Sequence, residues 1–314
     1  MMSFFKTGFQ SPLDYDKIRT DRKEEANEML TLKAYAKINL FLNVVGLRPD
    51  GYHDLEMVNA KVDLADILKF KEVSGQKPVT IISNDKYLER DPNLLYRVAD
   101  FMLEHYAKGK QIEIEIEKNI PAGAGLAGNS TDAAAIIKGI NQLFDLKLSQ
   151  GQMRFIGLKF GADIPYCLID KIALVRGIGE IIDEISFAFE GYKVLIVKPE
   201  AFVRTEDVFA LGDEIGYGKH DLAPVLAALQ NQDAERFIKT MRNSLEPVTF
   251  TLSPVTEKTK QLIVSSLGET GVLMSGSGST IIKIVRGNDD GISSFIKKYE
   301  HNHRIYLVNI VNNE

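Results

Sequence analysis

A glycine-rich loop is the part of the sequence best suited to chemistry. Residues 121–132 read P-A-G-A-G-L-A-G-N-S-T-D. Glycines let a backbone approach a ligand closely, and a following helix turns unpaired N–H groups and a partial positive charge toward it. The loop is therefore interpreted as a cradle for phosphate groups. The residues alone also allow a plain glycine turn in which Ser130 or Thr131 only caps the helix.

A second glycine cluster, S-G-S-G-S-T at residues 275–280, lies between two predicted strands. A plain hairpin would need only two turn residues there. The first loop does not end in the Gly-Lys-Ser/Thr of a Walker A motif, and it does not fit the dinucleotide fingerprint. Two such loops in one chain suit a ligand with more than one phosphate group, bound between two lobes.

Lys37 and Asp163 are the candidate catalytic pair. Asp163 lies in G-A-D-I-P, a predicted turn inside an apolar segment that runs to Ile169, and Lys37 lies in a predicted strand. A buried carboxylate needs a partner, and a lysine is a natural one. Beside phosphates, such a pair could take a proton from a hydroxyl group while the cation steadies the moving phosphoryl group. The alternative is an aspartate that only caps a turn.

Tyr52 and His53 follow a predicted R-P-D-G turn. A flat aromatic ring beside a group that donates and accepts hydrogen bonds could clasp a nucleobase. The alternative is an ordinary, partly buried pair. His301 and His303 have no third histidine and no cysteine near them in sequence, so no zinc site is predicted there.

The predicted elements place these residues on strands, loops and helices. Period-two spacing predicts strands at 36–45 and 111–118, and three- and four-residue spacing predicts a helix at 132–144. Residues 176–180 are expected to form a loop, and a buried strand is expected at 192–197. The second half is predicted to mix helices and strands in an α+β arrangement. Its predicted helices are 223–230, 234–241 and 257–267, and its predicted strands are 271–274, 280–285 and 304–311.

The composition is that of an ordinary globular chain, with 314 residues, 45% hydrophobic and 26% charged side chains, and a formal net charge of −5. A negative charge without a Lys/Arg run argues against nucleic acid and anionic membranes as partners. Cys167 is the single cysteine and no apolar run is long enough to span a membrane, so a cytoplasmic location is predicted. Residues 1–31 are interpreted as an N-terminal extension, with a second domain boundary near residue 188.

Three blocks of the sequence resemble the signature regions of the GHMP kinases. They are A-K-I-N-L-F-L from Ala36, P-A-G-A-G-L-A-G-N-S-T-D-A-A from Pro121 and S-G-S-G-S-T from Ser275. Three further segments are similar to the branch of that superfamily that acts on 4-diphosphocytidyl-2-C-methyl-D-erythritol: G-L-R-P-D-G-Y-H-D-L-E-M, G-A-D-I-P-Y-C and R-G-I-G-E. The resemblance runs from Leu32 to the end of the chain, and D-G-Y-H is its most specific part.

The resemblance implies an ATP-dependent kinase of the non-mevalonate isoprenoid pathway, which phosphorylates the 2-hydroxyl group of a small-molecule, CDP-linked substrate. It implies a two-lobed α+β fold with an ATP-binding domain at 32–188, a C-terminal domain at 189–314 and the active site in the cleft between the lobes. Mg²⁺ would be shared between ATP and the enzyme. Ser130, Thr131 and Asp132 are each plausible as its protein ligand.

The family motif also carries residue roles to this sequence. Lys37 and Asp163 match the catalytic pair, with Asp163 as the base, and Asn39 matches an asparagine that contacts the substrate. Asn93 resembles an asparagine on the adenine side. The remaining residues expected to bind ATP are Pro121, Ala122, Gly123, Ala124, Gly125, Leu126, Ala127, Gly128, Asn129, Ser130 and Thr131.

For the cytosine base, the resemblance implies that Tyr52 and His53 grip the ring and that Phe209 stacks on the opposite face from Tyr52. The remaining residues expected to bind the substrate are Thr205, Gly276, Ser277 and Gly278.

Two positions differ from the family pattern. Asn129 stands where glycine is more frequent, and Ser279 stands where proline is common. A side chain at position 129 would crowd the phosphate loop if that position needs a positive φ. Two other functions remain open at this point. One is a GHMP kinase for a different alcohol, of the mevalonate, homoserine or sugar type, and the other is a nucleotide-binding paralogue without catalytic activity.

Overall fold

Two sheets and the helices packed against them give the chain an α+β fold with two lobes, which confirms the predicted fold class. The computed structural model describes residues 29–88, 93–287 and 290–311. The strands of this part are β1 Leu30–Leu47, β2 His53–Glu72, β3 Val79–Ser83, β4 Ile112–Glu117, β5 Ala173–Gly177, β6 Ile181–Glu184, β7 Tyr192–Pro199, β8 Val272–Met274, β9 Ile281–Arg286 and β10 His303–Val308. The helices are α1 Leu94–Tyr106, α2 Gly128–Leu143, α3 Gln150–Leu158, α4 Ile164–Cys167, α5 Thr205–Ile215, α6 Ala223–Gln230, α7 Ala234–Thr240, α8 Glu246–Leu252, α9 Pro254–Leu267 and α10 Asp290–Tyr299.

A long antiparallel hairpin of β1 and β2 forms the centre of the first lobe. The predicted R-P-D-G turn connects the two strands, with the Gly51 N–H donating to the Arg48 carbonyl oxygen at 3.0 Å. Gly51 has a φ of +83°, a conformation that side chains other than glycine adopt at a cost. The turn places Tyr52 and His53 at the start of β2.

The first sheet has the strand order β3-β4-β2-β5-β6, with β1 paired to β2. The I-E-I-E-I-E alternation of β4 buries its three isoleucines against the helices, as a strand with one covered face requires. The second sheet has the order β10-β7-β9-β8 and is antiparallel throughout.

The two lobes share part of their hydrophobic core. Ile38 and Val58 of the hairpin belong to the same buried cluster as Ile196 and Leu273 of the second sheet. The backbone of Leu42 in β1 also exchanges hydrogen bonds with residues 242 and 244 of the second lobe, both at 2.9 Å. The hairpin therefore connects the lobes and forms one wall of the space between them.

Most predicted elements are confirmed, with shifted ends. The predicted strand at 36–45 is the middle of β1, and the predicted helix at 132–144 begins earlier, at Gly128. The loop predicted at 176–180 is wrong at its start, because Arg176 and Gly177 belong to β5. β1 begins at Leu30, inside the predicted extension, and residues 1–28 lie outside the described part. The domain boundary near 188 stays a prediction.

Helix α2 packs on the first sheet so closely that one position admits only glycine. A β-carbon on Gly139 would lie 2.5 Å from a ring atom of Phe70, which is fully buried. We expect Gly139→Ala to lower the free energy of unfolding by about 1–3 kcal/mol, because an overpacked core must shift. Chemical denaturation measures this change in the free energy of unfolding.

The matched control is Gly151→Ala in helix α3, where a β-carbon would meet no atom within 4 Å. Alanine favours a helix by about 1 kcal/mol over glycine, so this variant should be as stable as the parent or more stable. Equal stability of the two variants would contradict the packing argument.

Candidate active site

A cleft of about 930 Å³ lies between the two lobes. It is lined by β1, the first glycine loop, the start of α4, helix α5 and the second glycine loop. Most of the predicted site residues line it: Lys37, Asn39, Tyr52, His53, Pro121, Ala122, Gly123, Ala124, Gly125, Ala127, Gly128, Asn129, Ser130, Asp163, Thr205, Phe209, Gly276, Ser277 and Gly278. Leu126, Thr131 and Asn93 are not among the lining residues.

The structure brings Lys37 and Asp163 together in this cleft. The Lys37 Nζ lies 3.1 Å from Asp163 Oδ1 and donates to Asn39 Oδ1 at 3.3 Å. The lysine side chain is 5% exposed, whereas the aspartate side chain is 43% exposed. The premise that Asp163 is buried among apolar residues is therefore wrong, because its carboxylate opens to the cleft. Its side chain does not cap α4 either.

Asn39 and Ser275 connect the lysine to both glycine loops. The Asn39 side-chain amide donates to Asn59 Oδ1 at 2.7 Å, and the Asn39 N–H donates to Ser275 Oγ at 3.3 Å. The Ser275 hydroxyl in turn donates to the Gly125 carbonyl oxygen at 2.9 Å. The Lys37 N–H donates to the Leu126 carbonyl oxygen at 3.0 Å, so β1 holds the first loop by its backbone.

The two glycine loops touch each other. Gly125 has a φ of +69°, and a β-carbon there would lie 2.2 Å from the Ser275 carbonyl oxygen. Gly276 faces it with a φ of +57°. The close approach of these backbones requires glycine at position 125, and the positive φ of Gly276, with a β-carbon there only 3.2 Å from the Gly125 carbonyl oxygen, favours glycine at position 276.

Helix α2 begins at the cleft without a side-chain cap. Its N-cap residue is Ala127, with a φ of 55°, and no side chain accepts from the first turn. The Thr131 hydroxyl is buried and donates to the Tyr35 carbonyl oxygen at 2.7 Å. The alternative in which Ser130 or Thr131 caps the helix is therefore wrong, and the N–H groups of the first turn face the cleft. Asn129 lies within the helix, so position 129 does not need a positive φ.

Ser279 and Asn93 make hydrogen bonds that stabilise the fold, and neither lines the cleft. The Ser279 hydroxyl donates to the Ala201 carbonyl oxygen at 2.9 Å, a bond that proline could not make. Asn93 is the N-cap residue of α1, where it accepts from the Tyr96 N–H at 3.0 Å and donates to the Leu88 carbonyl oxygen at 2.7 Å.

A buried charge cluster that the sequence did not predict lies beneath the first turn of α2. The Lys118 ammonium forms ion pairs with Asp66 and Asp132, whose side chains are fully buried. Burial raises the pKa of the Asp132 carboxyl. Burial opposes the charge on Lys118, but Asp132 and Asp66 outweigh it and raise the pKa of the lysine. The cluster is divided among three segments that are distant in sequence, so no local pattern indicated it.

A second group of residues forms the other end of the cleft. The His53 ring stacks on the Phe209 ring with centroids 4.6 Å apart, and His53 Nε2 lies 2.7 Å from Asp213 Oδ1. The Tyr217 hydroxyl lies 2.8 Å from the same carboxylate oxygen. Asp213 and Tyr217 were missed by the sequence analysis. The one available signal was the four-residue spacing from Phe209 to Asp213, which puts both on one face of α5.

Tyr52 is more than half exposed at the rim of this group, and Phe209 contacts His53. The predicted sandwich of a base between Tyr52 and Phe209 stays a prediction. Thr205 lies at the start of α5, with its hydroxyl 2.8 Å from that of Ser277 in the second glycine loop.

Within residues 29–88, 93–287 and 290–311, no helix has the length and apolarity needed to cross a bilayer.

Comparisons with known proteins address the family of this chain. The model of the GHMP kinases N terminal domain matches residues 93–171, and the GHMP kinases C terminal model matches residues 225–301. A 4-diphosphocytidyl-2-C-methyl-D-erythritol kinase of Clostridioides difficile is 36% identical over 287 residues, which cover 90% of this chain and 95% of the relative. The enzyme of the same name from Clostridium beijerinckii is 37% identical over 257 residues, 81% of this chain and 90% of the relative. The chain belongs to this family of GHMP kinases.

Solved structures of GHMP kinases share the fold. A crystal structure of 4-(cytidine 5'-diphospho)-2C-methyl-D-erythritol kinase aligns with a TM-score of 0.74 and 28% identity, covering 90% of this chain and 100% of that one. Homoserine kinase from Cytophaga hutchinsonii aligns with a TM-score of 0.71 over 97% and 98% of the two chains. Its identity is 17%, so it shows the common fold alone.

The contact between the two glycine loops generates a prediction. In Gly125→Ala, the added methyl group would collide with the Ser275 carbonyl oxygen and push the loops apart. We expect the dissociation constant for a nucleoside triphosphate, measured by calorimetry, to rise at least about tenfold. A loss of about 1.4 kcal/mol of binding free energy is enough for this change.

Gly109→Ala is the matched control. Gly109 has a φ of +82°, and a β-carbon there would meet nothing within 4 Å, so this variant has the backbone strain without the collision. Nucleotide affinity should stay near that of the parent. If Gly125→Ala and Gly109→Ala bind the nucleotide with equal affinity, the contact between the loops does not organise the proposed nucleotide site.

Proposed function

We propose that this chain transfers the γ-phosphoryl group of ATP to the 2-hydroxyl group of 4-diphosphocytidyl-2-C-methyl-D-erythritol, on the non-mevalonate route to isoprenoid precursors. One observation carries the proposal. Lys37 pairs with Asp163 through its ammonium group, while its own N–H binds the first glycine loop at Leu126. A candidate base is thereby held beside a candidate phosphate cradle.

The phosphates of ATP bind the first glycine loop and the first turn of α2. The uncapped N–H groups of Gly128, Asn129 and Ser130 supply hydrogen-bond donors, and the helix dipole favours negative charge there. Because these donors are fixed before the reaction, they stabilise charge that develops on the transferred group without reorganisation.

Asp163 is the general base, and Lys37 is its charge partner. The exposed carboxylate accepts the proton of the substrate hydroxyl group as the oxygen attacks the γ-phosphorus atom in line with the leaving ADP. The Lys37 ammonium offsets the charge of the carboxylate and stays near the transferred phosphoryl group. Asn39 orients Lys37 through its side-chain oxygen and contacts the substrate.

Mg²⁺ fits the residues at the start of α2, and Ser130 is the residue that would hold it. Thr131 donates its hydroxyl proton to Tyr35, and Asp132 is buried against Lys118, so neither faces the phosphates. Ser130 lines the cleft. The metal would supply positive charge that offsets the charge of the phosphates. Among the described residues no cluster of three acidic, histidine or cysteine side chains could hold a metal.

The cytidine base binds at the end of the cleft formed by Tyr52, His53 and Phe209. Thr205, Gly276, Ser277 and Gly278 line the same cleft, and Gly276 lies against Gly125 of the first glycine loop. A diphosphate linker with the alcohol at its far end would connect the two ends. The arrangement favours a CDP-linked alcohol over a free alcohol, which has no group for the base-binding end.

Asp163→Asn tests the role of the base. We expect ADP formation to fall at least about a hundredfold, because an amide cannot accept the proton, while ATP still binds. A coupled assay of ADP release and calorimetry with ATP measure the two effects.

The control is Asp183→Asn, which removes an exposed carboxylate paired with Arg176 outside the cleft. Its turnover should match the parent. Near-normal turnover by Asp163→Asn would refute the assignment of the base.

Substrate identity is tested by offering the parent enzyme 4-diphosphocytidyl-2-C-methyl-D-erythritol and, separately, 2-C-methyl-D-erythritol. Only the CDP-linked alcohol should support ADP release. Equal turnover of the two would favour a different alcohol, and tight ATP binding without turnover of either would favour a non-catalytic protein.

A further inference from the structure

The orientation of the His53 ring is determined by residues of the opposite lobe. His53 begins β2, its side chain is 7% exposed, and its backbone pairs with Leu47. The imidazole stacks on Phe209 at an interplanar angle of 25° and meets the edge of Tyr217 at 5.6 Å between centroids. A ring held on one face and at one edge keeps its two nitrogens at fixed places.

The carboxylate of Asp213 determines which nitrogen carries the proton. The hydrogen bond from His53 lowers the pKa of the Asp213 carboxyl below its ordinary value, so this group is ionised and can only accept. It lies 2.7 Å from His53 Nε2. A hydrogen bond of this length requires a proton on Nε2.

Tyr217 supports the same arrangement. Burial raises the pKa of its hydroxyl group, which therefore keeps its proton and can donate to Asp213 Oδ1 at 2.8 Å or to the Phe209 carbonyl oxygen at 2.9 Å. Its oxygen lies 3.2 Å from His53 Nε2, where it can accept a share of the same proton. Asp213 and Tyr217, the two neighbours of Nε2, thus both favour the tautomer that carries its proton on Nε2.

The other nitrogen, Nδ1, is then a hydrogen-bond acceptor in the neutral ring. In the described part of the chain, Nδ1 makes no hydrogen bond, and His53 lines the cleft. Cytosine carries an amino group, a donor, at the position where uracil carries a carbonyl group, an acceptor. An acceptor at Nδ1 therefore attracts the amino group of cytosine and repels the carbonyl group of uracil.

We propose that Asp213 and Tyr217 are positioning residues that determine base specificity. They hold His53 as the tautomer with a bare Nδ1, which accepts from the exocyclic amino group of cytosine and rejects uracil. The inference rests on the proposed function for its substrate. It adds two residues and a mechanism of discrimination to that site.

The first experiment compares kcat/KM for the cytidine-linked substrate and its uridine-linked analogue. A site built around a hydrogen bond to one substrate group rejects analogues lacking that group strongly, so the parent should prefer cytidine about a hundredfold or more. Asp213→Ala should reduce that preference about tenfold or more, mainly by raising KM for the cytidine substrate. An undiminished preference in this variant would overturn the proposal.

Glu214→Ala is the matched control, because it removes a neighbouring acid of α5 that does not line the cleft. It should keep the full preference. Tyr217→Phe preserves the ring and the Asp213 carboxylate, so it should reduce the preference less than Asp213→Ala does. It also serves as the test variant if Asp213→Ala does not fold.

The second experiment reads the tautomer directly, by ¹⁵N NMR of histidine-labelled protein, with the His53 signals assigned by their loss in His53→Gln. In the parent, the proton should reside on Nε2. In Asp213→Ala the two tautomers should mix, and in Tyr217→Phe, which keeps the carboxylate, they should mix less. A proton on Nδ1 in the parent would refute the proposal, as would an unchanged tautomer in Asp213→Ala.

The outcomes for the enzyme and for the inference can be separated. If the parent turns over neither linked alcohol, the proposed function fails, and the tautomer and the relative affinity for CMP and UMP, measured by calorimetry, still decide the inference. Tighter binding of CMP than UMP that disappears in Asp213→Ala supports it. Equal binding of CMP and UMP by the parent contradicts it.

Discussion

The hydroxyl group of Ser275 is the contact on which the arrangement of the cleft depends. It accepts from the N–H of Asn39 on β1 and donates to the carbonyl oxygen of Gly125. Three segments that are far apart in the chain therefore meet at one oxygen atom. The contact is possible only because Gly125 has no side chain at the place where the two backbones approach each other. Lys37 lies on the same strand as Asn39 and is thereby held beside both loops.

The start of α2 departs from the local rules of helix stability in a way that suits ligand binding. A side-chain cap would contribute about 1 kcal/mol, and alanine in the left-handed region costs about 1–2 kcal/mol. The chain has Ala127 in that conformation and no cap. The surrounding contacts compensate, since the Leu126 carbonyl oxygen accepts from β1 and the Thr131 hydroxyl donates to Tyr35. The N–H groups of the first turn are left without a side-chain cap, which suits the proposed binding of phosphate there.

The proposed base-binding end of the cleft depends on both lobes. His53 comes from the hairpin of the first lobe, whereas Phe209, Asp213 and Tyr217 come from α5 and the loop after it. The lobes share a hydrophobic core, in which Ile38 packs with residues of the second sheet. Both the proposed catalytic pair and the proposed base site are therefore sensitive to how the lobes pack, and not only to the residues that line them.

The sequence by itself determined the features that depend on neighbouring residues: the glycine loops, the I-E-I-E-I-E strand, helices α6, α7 and α9 of the second half, and the family. Periodicity and turn chemistry are local, so they were visible without coordinates. The tertiary structure decided the rest. It placed Asp163 in the open cleft instead of the core, bound the Thr131 hydroxyl to the Tyr35 carbonyl oxygen and brought Asp213 to His53. Such pairings depend on strand register and on the packing of two lobes, and no spacing along the chain records either one.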